Sequence, residues 1–264
     1  MPSSERGEQR LNVDPDCCLV FIDDTGHEGL AGSHAVYGLG GIVVMARQYE
    51  ALLKPKWCEL RMLITGDAGH PLHAAELPRP VPRPHLHAIS AFLRQTFYRR
   101  FAITTARDVA LPADLHPMQP ALELLKRNIV KLAAYTPLNS MALIFESSTR
   151  ANALLQRYFG ELSIRENGRP TAVEHCLLPK RANEPGLEAA DFIANIAGNM
   201  ARWRLSGRSG FPRDFQAAFH GVPDSHYRYM HVSSVAATDE GDEVAGVELR
   251  ELGEPPSGAG PRNP

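Results

Sequence analysis

The sequence CCLVFIDDTGHEG, residues 17–29, joins a run of apolar residues to two adjacent aspartates. Val, Ile and Phe favour β-strands, whereas Asp, Thr and Gly are typical of turns. The pattern therefore predicts a strand over residues 17–23 that ends at the carboxylates. Side chains alternate along a strand, so only one of Asp23 and Asp24 can face a given site. The pair either forms an ordinary turn or serves a site that offsets the repulsion between its charges.

Strands alternate with helices along the rest of the chain. Apolar periodicity predicts four further strands at residues 34–44, 100–106, 141–145 and 171–178. It predicts helices at residues 48–63, 85–98, 119–135, 150–162 and 185–204. This alternation indicates an α/β fold built on a mixed five-stranded sheet flanked by helices.

The two ends of the 264-residue chain differ in composition from the middle. Residues 236–264 hold seven acids and two arginines, so residues 1–235 contribute +3 to the formal net charge of -2. We expect disorder in residues 1–13 and in the acidic segment 236–264, on either side of one domain at residues 14–235.

The chain begins without an apolar signal-peptide core, and no apolar run reaches the roughly 18 residues that span a bilayer, so we expect a cytoplasmic protein without membrane contact. The four cysteines lack a CxxC pair and predict reduced thiols rather than a zinc site.

Two more carboxylates interrupt apolar patterns. Glu146 directly follows the strand at 141–145, where it either favours the start of the next helix through the helix dipole or faces a site. Asp191 lies within the small-residue face of the last predicted helix, where a buried charge needs a partner, either an arginine or a metal ion. Together with the first strand, these positions match the requirement of a two-metal site, in which carboxylates hold two cations within about 4 Å. Oxygen ligands favour Mg²⁺ or Mn²⁺ over zinc.

Five motifs in this order resemble domain-of-unknown-function family 3800, which is thought to have an RNase H-like fold. The motifs are FIDDTG (21–26), YGLGGIVV (37–44), LHAAEL (72–77), LIFESS (143–148) and GLEAADFIAN (186–195). The most specific of them is the closing helix, which resembles the family's Gln-x-Ala-Asp-hydrophobic-x-Ala-Asn pattern. The resemblance implies an RNase H-like α/β fold and metal-dependent hydrolysis of phosphodiester bonds, and the family's associations suggest defence against phage or foreign nucleic acid.

The resemblance also implies roles for individual residues. Metal ligands would be Asp23, Asp24, Glu146 and Asp191, with Glu76 as a further ligand and His73 as a group that transfers protons or contacts the substrate. Two residues depart from the family pattern: Glu188 replaces the usual Gln, and Glu146 replaces the usual Asp.

Basic residues near these motifs are compatible with a polyanionic substrate. Lys180 precedes the last helix, and Arg202 and Arg204 lie near its end; all three are predicted to contact phosphate, unless they simply belong to a solvated surface. Further arginines are Arg79, Arg83, Arg208 and Arg213. The sequence thus predicts a nuclease that acts on DNA or RNA, and the alternative is a catalytically silent RNase H-like module that binds nucleic acid or protein. It leaves the choice of DNA or RNA and the oligomeric state open.

Overall fold

The computed structural model describes residues 13–26, 30, 36–106, 109, 111–112, 115–136, 138–148, 151–166, 169–207, 226–240 and 243–250. Its strands are β1 (Cys18–Gly26), β2 (Val36–Met45), β3 (Arg99–Ala106), β4 (Ser140–Glu146), β5 (Ile164–Glu166), β6 (Arg169–Leu178), β7 (Tyr227–Ala237) and β8 (Val244–Arg250). Its helices are α1 (Ala46–Gln48), α2 (Lys54–Thr65), α3 (Arg83–Leu93), α4 (Gln119–Tyr135), α5 (Asn152–Phe159) and α6 (Pro185–Leu205). A π-helical segment, Tyr49–Leu53, joins α1 to α2, and a 3₁₀ turn, Lys180–Ala182, precedes α6.

The strands form one mixed sheet in the order β5-β6-β4-β1-β2-β3-β7-β8. β2 is antiparallel to both of its neighbours, whereas β4 is parallel to β1 and to β6. The five predicted strands are β1, β2, β3, β4 and β6, and they lie side by side at the centre. This mixed sheet flanked by helices confirms the predicted α/β fold class.

Two apolar cores cover the two faces of the sheet. Leu19, Phe21 and Ile42 contribute to the core beneath α2, α3 and α6. Val20 and Ile22 face the other core, beneath α4 and α5. Because side chains alternate, β1 divides its residues between the two cores. The same alternation places Asp23 on the face covered by α6 and Asp24 on the opposite face.

The predicted disordered segment 236–264 contains an ordered strand. β8 pairs antiparallel with β7, from His231 opposite Arg250 to Ala237 opposite Val244. Val247 is partly buried and packs on the core beneath α4. The prediction of disorder is therefore wrong for residues 244–250, because apolar residues between the acids pair with a strand that was not predicted. Residues 1–12, 241–242 and 251–264 lie outside the described residues.

The predicted helices are all present. The helix expected at 119–135 has those bounds, and the helix expected at 185–204 ends one residue later. No helix in the part of the chain that the structure describes is long and apolar enough to cross a bilayer.

Candidate functional site

Helix α6 packs closely on β1 and β2 at two glycines, Gly40 in β2 and Gly186 in α6. A Cβ on Gly40 would lie 2.3 Å from the backbone nitrogen of Ala194, and a Cβ on Gly186 would lie 2.5 Å from the ring of Phe21. Both distances are too short for a real Cβ, so glycine is required for this approach. Gly40 is paired with Asp23 across β1 and β2. The close packing therefore holds α6 over the end of β1 that carries Asp23.

Three carboxylates from separate elements meet at this place. β1 and β4 are parallel, with Ile22 opposite Phe145, so Asp23 and Glu146 follow at the same edge of the sheet. Both side chains lie on the face covered by α6, where Asp191 is the third member. Removal from water raises the pKa of Asp23 well above its usual range, and the charges of Asp191, Glu146 and Asp24 raise it further. Asp23 has no cationic partner among the described residues, although the N–H of Asp24 donates to its Oδ1 at 2.8 Å.

The surroundings of Glu146 are mixed in charge. Burial raises the pKa of Glu146, and Asp191 acts in the same direction. Lys180 and His73 oppose this shift, because their positive charges favour the ionised carboxylate. These side chains line a small shared recess together with Asp191. The sequence predictions for Lys180 and His73 therefore refer to residues that the fold brings to the carboxylates.

Asp191 is held by the segment that precedes α3 rather than by an arginine. The N–H of Ala74 donates to Asp191 Oδ2 at 2.8 Å, and His73 Nδ1 lies 3.8 Å from the same oxygen. The Asp191 carboxylate raises the pKa of His73, because it favours the charged imidazolium. Within the described residues no arginine pairs with Asp191, so the alternative of an arginine partner finds no support.

A buried arginine, Arg61 of α2, pairs instead with Glu188, which lies one turn before Asp191 on α6. Glu188 is 4% exposed and forms an ion pair with Arg61, whose Nη2 lies 2.5 Å from Glu188 Oε1. Trp57 Nε1 donates to Glu188 Oε2 at 2.8 Å, and the N–H of Leu72 donates to it at 2.9 Å. A carboxylate at position 188 thus has a structural reason, because a buried arginine needs a buried counter-charge.

The structure leaves some predicted residues outside this group. Asp24 is exposed, and its side chain points away from the α6 face because it follows Asp23 directly in β1. Glu76 is exposed beside the group and acts on His73 through its charge. Arg202 and Arg204 lie in the last two turns of α6 and are partly buried. Arg79 and Arg83 are exposed, and Arg208 and Arg213 lie outside the described residues.

The three carboxylates are suitable ligands for a hard divalent cation, but they lie too far apart in this structure to hold one ion together. Asp23, Glu146 and Asp191 offer carboxylate oxygens, the ligands that Mg²⁺ and Mn²⁺ prefer. A cation between them would lower the pKa values that their mutual repulsion raises. In the described ranges, however, no three His, Cys, Asp or Glu side chains are grouped closely enough to hold one ion. The three carboxylates therefore fit a divalent cation in type and charge, and they must move closer together to bind one.

Sequence reasoning missed a polar stripe on α6. From Pro185 to Ala201 every residue is buried except Asp191, Asn195 and Asn199, and Arg202 follows as a half-buried residue. The steps of four, four and three place all four side chains on one face. The same helical period that predicted the apolar face would have revealed this stripe, had it been applied to the polar residues.

Comparisons with known proteins identify no family. No family model matches the chain, and no curated protein matches it. Among solved structures, RNase HII of Archaeoglobus fulgidus, in its complex with PCNA, is 12% identical with a TM-score of 0.35, over 75% of this chain and 84% of that one. A mutant form of Bst-RNase HIII has the same identity and TM-score, over 75% of this chain and 57% of that one. Similarity this low assigns no substrate, metal or partner to the chain.

Proposed function

We propose that this chain is a metal-dependent nuclease that hydrolyses phosphodiester bonds at Asp23, Glu146 and Asp191. The observation that carries the proposal is the convergence of these three carboxylates, from β1, β4 and α6, with a strongly raised pKa at Asp23. Carboxylates crowded in this way destabilise the folded chain unless a cation joins them. Glu188 on the same helix pairs with Arg61 of α2, whereas no arginine among the described residues pairs with Asp191. This contrast favours a ligand site over a structural ion pair.

Two Mg²⁺ or Mn²⁺ ions would be held by the three carboxylates, and when bound they would activate water and stabilise the leaving oxygen. The chain's own residues have further tasks. Asp191 raises the pKa of His73, which favours the imidazolium, and this group can donate a proton or a hydrogen bond to the departing group. Lys180 lies beside Glu146 and can offset phosphate charge. Glu76 is exposed beside His73, where it can complete the ligand set or tune the imidazole.

The catalytically silent module remains the second candidate. It is favoured by the absence of a closely grouped ligand set among the described residues and by the partial compensation that Lys180 and His73 give Glu146. The two candidates differ in whether Mn²⁺ binds with carboxylate-dependent affinity, and in whether any phosphodiester is hydrolysed.

A matched pair of variants tests the proposal. Asp23→Asn and Asp24→Asn make the same chemical change at adjacent residues on opposite faces of β1. We expect Asp23→Asn and Asp191→Asn to abolish Mn²⁺ binding in calorimetry and to abolish hydrolysis of single- and double-stranded DNA and RNA and of bis(p-nitrophenyl) phosphate. Asp24→Asn should retain both. Hydrolysis by the wild type that persists in EDTA, or that survives Asp23→Asn, would overturn the two-metal proposal, and Mn²⁺-independent binding without hydrolysis would support the silent module.

A further inference from the structure

The polar stripe on α6, formed by Asp191, Asn195, Asn199 and Arg202, contains a continuous hydrogen-bond ladder. Arg202 Nη2 donates to Asn199 Oδ1 at 2.8 Å, and Asn199 Nδ2 donates to Asn195 Oδ1 at 2.8 Å. From Asp191 to Asn199 the stripe is one residue wide, because the flanking residues of α6 are buried. It leads from the carboxylate site to the last turn of the helix.

The ladder fixes the orientation of both amides. A guanidinium can only donate, so the atom of Asn199 that meets Arg202 must be its oxygen. Asn199 then presents its NH₂ group to Asn195, whose oxygen accepts it, and the NH₂ group of Asn195 is left to donate elsewhere. Asn195 Nδ2 has no hydrogen-bond partner within the described residues. Helical side chains lean toward the N-terminus, so this donor is directed toward the turn that carries Asp191.

The other end of the stripe carries Arg202, a cation that lacks a counter-charge among the described residues. Among the residues that the structure describes, no carboxylate pairs with Arg202, and Asn199 is its hydrogen-bond partner. Burial lowers the pKa of Arg202, because its charge is partly removed from water. Thr25 lies across from it: a Cβ on Gly198 would be 2.9 Å from Thr25 Oγ1 and 3.5 Å from Arg202 Nη2. A half-buried guanidinium of this kind is best satisfied by an anionic ligand.

We propose that the polar stripe on α6 binds the backbone of one nucleic-acid strand, with Asn195 Nδ2 donating to a phosphate oxygen at the carboxylates and Arg202 pairing with a phosphate farther along the strand. This proposal rests on the proposed function and adds the path of the substrate. The stretch of α6 from Asp191 to Arg202 spans about 16 Å of helix. The ligand is therefore a polymer that presents several phosphates in sequence, and a mononucleotide would leave Arg202 unused. The narrow stripe accommodates one backbone, which favours a single strand over a duplex.

The experiment measures binding separately from hydrolysis. Fluorescence anisotropy in EDTA, with labelled single strands of DNA and of RNA longer than the stripe, gives the dissociation constant at several salt concentrations. We expect Arg202→Gln to weaken binding about tenfold, as for the loss of one charge-assisted hydrogen bond. It should also reduce the slope of log K against log[salt] by about 0.7, the value for one phosphate contact on a single strand. Asn195→Ala should weaken binding without changing this slope, because it removes no charge.

Two further variants separate this role from a structural one. Arg202→Lys keeps the charge and should restore the salt slope, whereas a purely structural defect would leave the slope altered. Lys131→Gln removes an exposed charge from α4, on the opposite face of the sheet, and should leave both affinity and slope unchanged. An Arg202→Gln variant whose affinity and salt slope match those of Lys131→Gln would overturn the proposal.

Hydrolysis of bis(p-nitrophenyl) phosphate with Mn²⁺ distinguishes failure of this proposal from failure of the proposed function. That substrate is too short to reach Arg202, so Arg202→Gln should lose much less activity on it than on the long strand. Equal loss of activity on the short ester and on the long strand would show that Arg202 acts on the carboxylate site and would reject the strand path. A wild type that binds strands through Arg202 but hydrolyses neither substrate would reject the nuclease and retain the stripe.

Discussion

Glu188 and Asp191 lie one turn apart on α6 and each accepts an N–H from the same segment, yet among the described residues an arginine pairs with Glu188 and none pairs with Asp191. Leu72 donates to Glu188 and Ala74 donates to Asp191, so the two carboxylates hold alternate residues of one short loop segment. This stretch carries His73 between them. Glu188 therefore acts as a fixed structural anchor, whereas the Asp191 carboxylate, without an arginine partner among the described residues, is available to a ligand.

The first prediction concerns the buried pair of Glu188 with Arg61. Glu188→Gln should lower the free energy of unfolding by about 3 to 5 kcal/mol, because it leaves the guanidinium buried without a counter-charge. Glu123→Gln provides the matched control: it breaks the pair with Arg127 on α4, which is partly exposed, and should change stability by less than about 1 kcal/mol. Urea unfolding of both variants measures the difference. Equal losses would show that Glu188 is not an anchor.

The second prediction has the opposite sign. Asp23→Asn should raise the stability of the metal-free protein at about pH 8, because it removes a charge that burial and neighbouring carboxylates disfavour. Saturating Mn²⁺ should raise the thermal midpoint of the wild type and leave that of the variant unchanged. Differential scanning calorimetry with and without Mn²⁺ measures both effects. A destabilised variant that Mn²⁺ still stabilises would contradict the assignment of Asp23.

The third prediction concerns pH and Glu184 at the start of α6. Burial raises the pKa of Glu184 from 4.5 to about 7, and Tyr49 donates a hydrogen bond to its Oε1. The folded state thus keeps a proton that the unfolded chain loses, so this contribution to stability is fully present below about pH 4.5 and is lost as the pH rises toward 7. Glu184→Gln keeps the acceptor oxygen and removes the titration. Its stability should approach that of the wild type near pH 4.5 and exceed it by on the order of 1 to 3 kcal/mol near pH 8, as measured by urea unfolding at both values. A difference that does not vary with pH would exclude Glu184 as the titrating group.

The fourth prediction tests the order of β8. Val247 is partly buried against the core beneath α4, whereas Ala245 in the same strand is exposed. Val247→Asp should lower the thermal midpoint by several degrees, because it places a carboxylate against apolar side chains. Ala245→Asp adds the same charge to the same strand and should have little effect. If both variants match the wild type, β8 contributes nothing to the stability of the domain.

The sequence predicted the elements whose pattern is local. The apolar run before Asp23 and the helical period around Asp191 required no knowledge of distant residues, and the structure brings both carboxylates together with Glu146. The ion pair of Arg61 with Glu188 could not be predicted in this way, because no local pattern on α2 indicates which carboxylate lies against it. β8 could not be predicted either, because its acidic composition suggested disorder and its order depends on pairing with β7, a strand that was not predicted.

Asp24 shows a different limit of sequence reasoning. The family resemblance implied that both adjacent aspartates bind metal, although the alternation of a strand allows only one of them to face α6. In the structure β1 remains regular through Gly26, so the rule of alternation holds at both positions. Strand alternation therefore places the two aspartates on opposite faces of the sheet, although their side chains are chemically identical.

The contact between Gly40 and Ala194 determines how much the site can rearrange. Because the backbone of β2 meets the backbone of α6 without an intervening side chain, the separation between helix and sheet is set by hard van der Waals contact. Loss of metal cannot widen it through rotamer changes at this point, and gain of metal cannot compress it. The backbone frame is therefore preorganised, and the carboxylates approach a cation by turning their own side chains, so apo and metal-bound forms should share one helix position.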